Sequence, residues 1–210
     1  LIGQSVFKWA PYRSGYGLFS QNDKYGLLNR DGEVIINAIY DDISDISYGL
    51  FQVELNNKVG FIDTLGNIKI PFEYDVDTNN VIGMNLYQTF QVDENYEISK
   101  ILLNASVDGN LKNFQEGLCA VYKNGFYGFI DTSNHEIIPF IYEAADNFFK
   151  DFAIVKLRNK YGVIDKLGRV YTPLKYDWLV WERENSEIRA ELNGKIMYLK
   201  LDSPTPLSEP

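Results

Sequence analysis

An all-β repeat array is the fold class that this sequence predicts, and three observations predict it. Glycines, tyrosines and prolines recur at a single spacing of 34 residues. Short apolar runs alternate with turns rich in Asn, Asp and Gly, the signature of strands joined by hairpins. No window of ten or more residues carries convincing helical periodicity.

The spacing is visible in several columns. Gly15, Gly49, Gly83 and Gly117 are each 34 apart, and Gly26, Gly60, Gly128 and Gly162 hold a second register with one slot skipped. Gly32, Gly66 and Gly168 form a third, with Asn134 in the open slot. Tyr40, Tyr74, Tyr142 and Tyr176 align, as do Pro71, Pro139 and Pro173, and Asp63, Asp131 and Asp165, with Asn29 in the first copy. These columns divide the chain into units 23–56, 57–90, 91–124, 125–158 and 159–192, flanked by partial units of 22 and 18 residues. Unit 91–124 keeps the length but loses the pattern, with Glu94 for Gly, Asp108 for Tyr and Ala105 for Pro. The expected domain is single and runs over 1–202. Residues 203–210 carry three prolines and read as a frayed tail.

The stretch 49–75 shows what one unit builds. Leu50 to Leu55 is a first β-rich run. A turn column follows, occupied by Asp23, Asn57, Gly125, Asn159 and Asn193, residue types that tolerate the positive φ of a tight hairpin. Lys58 to Asp63 is a second run. The turn Asp63-Thr64-Leu65-Gly66 comes next, its carboxylate suited to accept turn amides and its glycine to supply positive φ. A third run from Asn67 is expected to end at Pro71, which cannot donate to a ladder. The remaining connector has room for a short fourth strand. Gly60 lies within a strand, where the lack of a side chain lets a neighbour approach closely. Leu28, Ile62, Ile130 and Ile164 alternate with Leu27, Phe61, Phe129 and Val163, so this strand is predicted to be covered on both faces. One such meander buries too little to stand alone, so neighbours must stack.

Four strings carry a family resemblance: Lys24-Tyr25-Gly26-Leu27-Leu28-Asn29, Lys58-Val59-Gly60-Phe61-Ile62-Asp63, Phe126-Tyr127-Gly128-Phe129-Ile130-Asp131 and Lys160-Tyr161-Gly162-Val163-Ile164-Asp165. Each leads into a turn, an apolar run and a closing Tyr-Asp or its equivalent. The companion string Phe114-Gln115-Glu116-Gly117-Leu118-Cys119-Ala120-Val121 precedes one of them. Together they resemble the WG-repeat (KWG-repeat) family of bacterial proteins over nearly the whole chain, although no copy places Trp before the Gly. The resemblance implies a β-repeat array serving as a binding or structural module, with repeat residues that are structural and no general enzymatic activity. About six antiparallel meanders are expected if the flanks are counted. An open superhelical stack is favoured over a closed, propeller-like ring, because known blades need about 40–50 residues.

Composition narrows the function classes. The net charge is −9, from 20 Lys+Arg against 29 Asp+Glu, which argues against nucleic acid and anionic lipid as partners. No apolar run is long enough for a membrane-spanning helix. The lone Cys119 excludes an internal disulfide, and the lone His135 excludes a multi-His metal site. The start at Leu1 reads as a trimmed form. Both cytoplasm and cell envelope stay open as compartments.

Candidate sites follow from residue type. Cys119 reads as a core thiol and His135 as a solvated turn residue, and no nucleophile motif accompanies either. Asp75, Asp77 and Asn79 alternate as calcium ligands do, but Asn80 and Leu86 stand where the loop needs Gly and Glu. No metal or cofactor is therefore expected. The carboxylate groups Asp41-Asp42-Asp45, Asp93-Glu94 and Glu182-Glu184-Glu187 are the raw material for a hydrolase, which needs two of them across a cleft. The tyrosine column, with Phe114 and Phe148, reads as core between repeats, with an aromatic platform for sugars as its alternative. Trp178 and Trp181 fall in a connector as anchors for a partner. Phe90 and Tyr96 belong to the divergent segment 90–113, the candidate partner-specific surface. The leading function is a non-enzymatic protein-binding or scaffolding module. A carbohydrate-binding envelope protein is the alternative, and a carboxylate hydrolase the third reading.

Overall fold

A computed structural model describes residues 10–11, 15–77, 112–182 and 187–201. The chain divides into two compact units, Leu1–Leu111 and Lys112–Pro210. Every element among the described residues is a strand or a turn, and none of the described sheets closes into a barrel.

Among the described residues, the first unit holds two meanders. One runs in chain order through β1 (Ala10–Pro11), β2 (Gly17–Gln21), β3 (Lys24–Leu28) and β4 (Val34–Tyr40), and the other through β5 (Asp42–Ile43), β6 (Leu50–Leu55), β7 (Lys58–Asp63) and β8 (Ile68–Asp75). The described residues of the second unit hold three. They are β9 (Leu118–Lys123), β10 (Phe126–Asp131) and β11 (Glu136–Tyr142); then β12 (Ala144–Ala145), β13 (Phe152–Leu157), β14 (Lys160–Asp165) and β15 (Val170–Tyr176); then β16 (Trp178–Glu182), β17 (Glu187–Leu192) and β18 (Lys195–Lys200). All pairings within the meanders are antiparallel between chain neighbours. The connector does hold a short strand, and that strand opens the next meander: β5 pairs with β6 and β12 with β13.

The hairpin turns form where Asn, Asp and Gly predict them. Residues 22–23, 56–57, 124–125, 158–159 and 193–194 all have positive φ. The last pair is one residue late, so Asn193 occupies the first turn position and Gly194 the second. The second turn is equally local. Asp63 Oδ1 accepts the amides of Leu65 and Asn67, both at 2.9 Å, and Gly66 takes φ 81°. Asp131 and Asp165 repeat these bonds, and so does Asn29.

The third long strand departs from the expectation. It does not end at its proline: β8 runs through Pro71, β11 through Pro139 and β15 through Pro173. The reason is a bulge. Val59 pairs with Tyr74 and Phe61 with Ile70, so Gly60 alone faces the three residues 71–73. Ladder bonding is interrupted there, and a residue without an N–H costs nothing. The bulge also explains the strand glycines. A Cβ on Gly60 would lie 2.9 Å from the Ile70 carbonyl oxygen, on Gly128 2.8 Å from that of Ile138, and on Gly162 2.8 Å from that of Thr172.

Each unit has its own core. Leu27, Ile36, Tyr40, Ile43, Phe51, Val53 and Ile62 pack between the two meanders of the first. In the second, one cluster includes Phe129, Ile138, Phe148 and Ile164, and another Phe152, Val163, Leu179 and Ile188. Leu27, Phe61, Phe129 and Val163 on one face, and Leu28, Ile62, Ile130 and Ile164 on the other, are all buried, as the double apolar column predicts.

Candidate functional site

The charged repeat residues are occupied by architecture. Lys24 pairs with Asp41, Lys58 with Asp75 and Lys160 with Asp177, each joining the start of one strand to the end of the bulged strand beside it. Two of these aspartates, Asp41 and Asp177, also reach into the next meander. Asp41 Oδ2 accepts the Asn56 amide at 2.8 Å, and Asp177 Oδ2 accepts the Asn193 amide at 2.6 Å. One carboxylate thus ties a lysine to the following hairpin turn. Sequence reading missed this clasp, although its signal, a Lys and an Asp 17 residues apart in three copies, was legible. The hydrogen bond and charge of Lys24 hold Asp41 below the usual carboxylate range, and Lys160 does so for Asp177. Asp63 lies lower still, chiefly because the Asn67 side chain bonds it. In the fourth copy the lysine is Phe126 and the aspartate is Glu143. Glu143 keeps only the turn bond, accepting the Asn159 amide at 3.0 Å.

The other carboxylates singled out from sequence are placed in the same way. Asp42 and Asp45 cap the amides of Ile43 and Ile46. Glu54 faces Asp42 across β5 and β6, and burial, helped by Asp42 and Asp41, raises its pKa. Glu182 faces Glu187, which lies 3.5 Å from Lys200. Asp93, Glu94 and Glu184 lie outside the described residues. So does Asn79 of the calcium candidate, whose Asp75 is paired with Lys58 and whose Asp77 is buried. Cys119 is buried, and burial pushes its thiol well above the ordinary range. His135 stands exposed in its turn, 3.0 Å from Asp131.

The aromatic column is core. Tyr40, Tyr74, Tyr142 and Tyr176 are buried, as are Phe114 and Phe148, so these rings form no open platform. Trp178 and Trp181 are on a strand, β16, and not in a connector. Both are half-buried: Trp181 meets Phe149 edge to face at 5.1 Å, and the Arg189 guanidinium lies over Trp178. Phe90 and Tyr96 lie outside the described residues. Of segment 90–113, only Lys112 and Asn113 are described.

Large apolar side chains do reach solvent at several described positions, and the two most exposed of them share one repeat position. Leu65 is 79% exposed and Leu167 68%, at one position of the second turn in two copies. Ile68 and Val170, each three residues on at the start of the next strand, are exposed as well. The remaining copies carry Asp31 and Ser133 at the leucine position, so the turn itself does not require leucine. Sequence reading passed over this pair because it looked for aromatic residues.

The family model described as WG containing repeat matches residues 25–58, 60–76, 127–161 and 161–195, more than half of the chain. The matched copies are those whose strand glycine faces a bulge, and the segment between 76 and 127 goes unmatched. No curated protein matches the chain significantly. Among solved structures, the crystal structure of a eukaryotic initiation factor superposes with a TM-score of 0.51 at 10% identity, covering 98% of this chain and 54% of that one. The structure of Kluyveromyces lactis Hsv2p gives 0.47 at 7% identity, covering 90% and 57%. At these identities the first likeness is one of fold alone. The chain spans little more than half the length of either structure.

Proposed function

This chain belongs to the WG-repeat family, and from that premise we propose that it is a non-enzymatic binding and scaffolding module for a protein partner. The observation that carries the reading is the doubled apolar pair, Leu65 with Ile68 and Leu167 with Val170, exposed at a turn whose other described copies carry Asp31 and Ser133. Apolar side chains set at one repeat position favour an amphipathic partner, and the net charge of −9 favours a basic one. The charged repeat residues support the same reading, because clasps and turn caps already engage them. The half-buried indoles of Trp178 and Trp181 offer a further contact in the second unit. Glycan recognition loses its main support with the burial of the tyrosine column.

The test is capture from a lysate by the immobilised chain, beside a double variant L65K/L167K of unchanged melting temperature. A protein enriched by the parent and lost with the variant is the expected result. Equal enrichment by both, or none by the parent, overturns the reading.

A further inference from the structure

Among the described residues, the last meander presents an edge that its counterparts cover. Counting from the hairpin turn, the third pair is Phe19 with Gly26, Val53 with Gly60, Val121 with Gly128 and Val155 with Gly162. In β17 and β18 the third pair is Ala190 with Met197. Each of the four glycines lies against a bulged neighbouring strand. Met197 does not, since β18 ends its sheet among the described residues. The next residue, Tyr198, is 58% exposed, whereas its counterparts Leu27, Phe61, Phe129 and Val163 are buried. Lys195 stands where Lys24, Lys58 and Lys160 stand. Those three meet an aspartate at the end of the covering strand, but Lys195 has no carboxylate partner among the described residues.

We propose that the outer edge of β18 binds an extended, straight segment of another protein, antiparallel, with a carboxylate at its C-terminal end for Lys195 and apolar residues for Ile196 and Tyr198. Main-chain ladder bonds supply affinity, and the flanking side chains supply selectivity. Met197 acts by exclusion. A bulged strand of the kind this family uses brings a carbonyl oxygen within 2.5–2.9 Å of the Cβ position, a distance real Cβ atoms do not tolerate, so such a strand is rejected. A second copy of β18 is disfavoured, because centred antiparallel pairing sets Lys195 against Lys200 at both ends. This deepens the binding reading above and rests on it.

The probes are fluorescent peptides titrated against the full chain by anisotropy. The first is acetylated Thr-Val-Thr-Val-Thr-Val-Asp, the second its alternately N-methylated form, and the third has Lys in place of the final Asp. The fourth copies Val170–Asp177, which carries the bulge and its proline. Saturable binding of the first is expected, abolished by N-methylation and weakened about threefold by the terminal Lys or by Lys195→Glu. The fourth is expected to bind only after Met197→Gly. No binding of the first peptide, equal binding of its N-methylated form, or tight binding of the fourth to the parent overturns the proposal. Loss of peptide binding while lysate capture still depends on Leu65 and Leu167 overturns the edge site alone and leaves the binding module standing.

Discussion

The meander β12–β15 and the meander β16–β18 have the same hairpin and different neighbours. In the first, β14 is an interior strand: Gly162 admits the bulged β15, Val163 is buried and Lys160 holds Asp177. In the second, β18 ends its sheet among the described residues, with Met197, Tyr198 and Lys195 at those three positions. The contrast separates two roles within the repeat. The hairpin turn and its flanking strands need only local residues, and the last described copy keeps them. Glycine, buried apolar residue and paired lysine serve the covering strand, and the last described copy lacks all three features together.

Side-chain truncation should break the contrast most sharply. Phe129→Ala removes a fully buried ring and is expected to cost about 3–5 kcal/mol, read from urea unfolding midpoints. Tyr198→Ala, at the equivalent exposed position, should stay within about 0.5 kcal/mol. Next in size is the glycine itself. Gly162→Ala forces a Cβ against the Thr172 carbonyl and should destabilise by about 1–3 kcal/mol, whereas Met197→Ala should cost less than half of that. Equal effects at 162 and 197 would sink the covering-strand account.

Acid should act on the clasps and turn caps. Asp41, Asp63 and Asp177 have folded pKa values below the ordinary carboxylate range, so the unfolded chain binds more protons and stability rises with pH. Their contribution is complete above the unfolded value of about 4 and is lost as pH falls through the lowered folded values. Unfolding midpoints should therefore hold steady from neutral pH to about pH 5 and decline below it. Asp63→Asn should flatten part of that decline. The smallest effect concerns the copy that lost its clasp. Restoring it with Phe126→Lys and Glu143→Asp together should gain no more than about 0.5 kcal/mol, since an exposed ion pair contributes little. A larger gain would mean that the clasp does more than the other three copies suggest.

Most of the fold was legible in the sequence because its determinants are local. Asn57, Gly66 and Asp63 specify turns through φ and through bonds to amides two and four residues on. The buried columns follow from strand alternation. Pro71 was misread because its meaning depends on a partner strand: a proline ends a regular ladder but sits comfortably in a bulge, and only pairing reveals the bulge. The clasp aspartates were passed over for a related reason, since Asp41 acts on Lys24 and Asn56, which lie 17 residues before it and 15 after it. Trp178 and Trp181 seemed to lie in a connector, and the extra residue that delays the Asn193-Gly194 turn belongs to the hairpin they open.

By itself, then, the sequence determined an all-β array with a 34-residue period, its turn positions and its buried columns, because backbone torsion and alternation act over a few residues. Tertiary structure decided why each strand glycine is required, where the carboxylates are engaged and which apolar side chains stay in solvent. Those outcomes depend on which strand lies beside which, and that is set by pairing across the sheet, beyond the reach of local pattern.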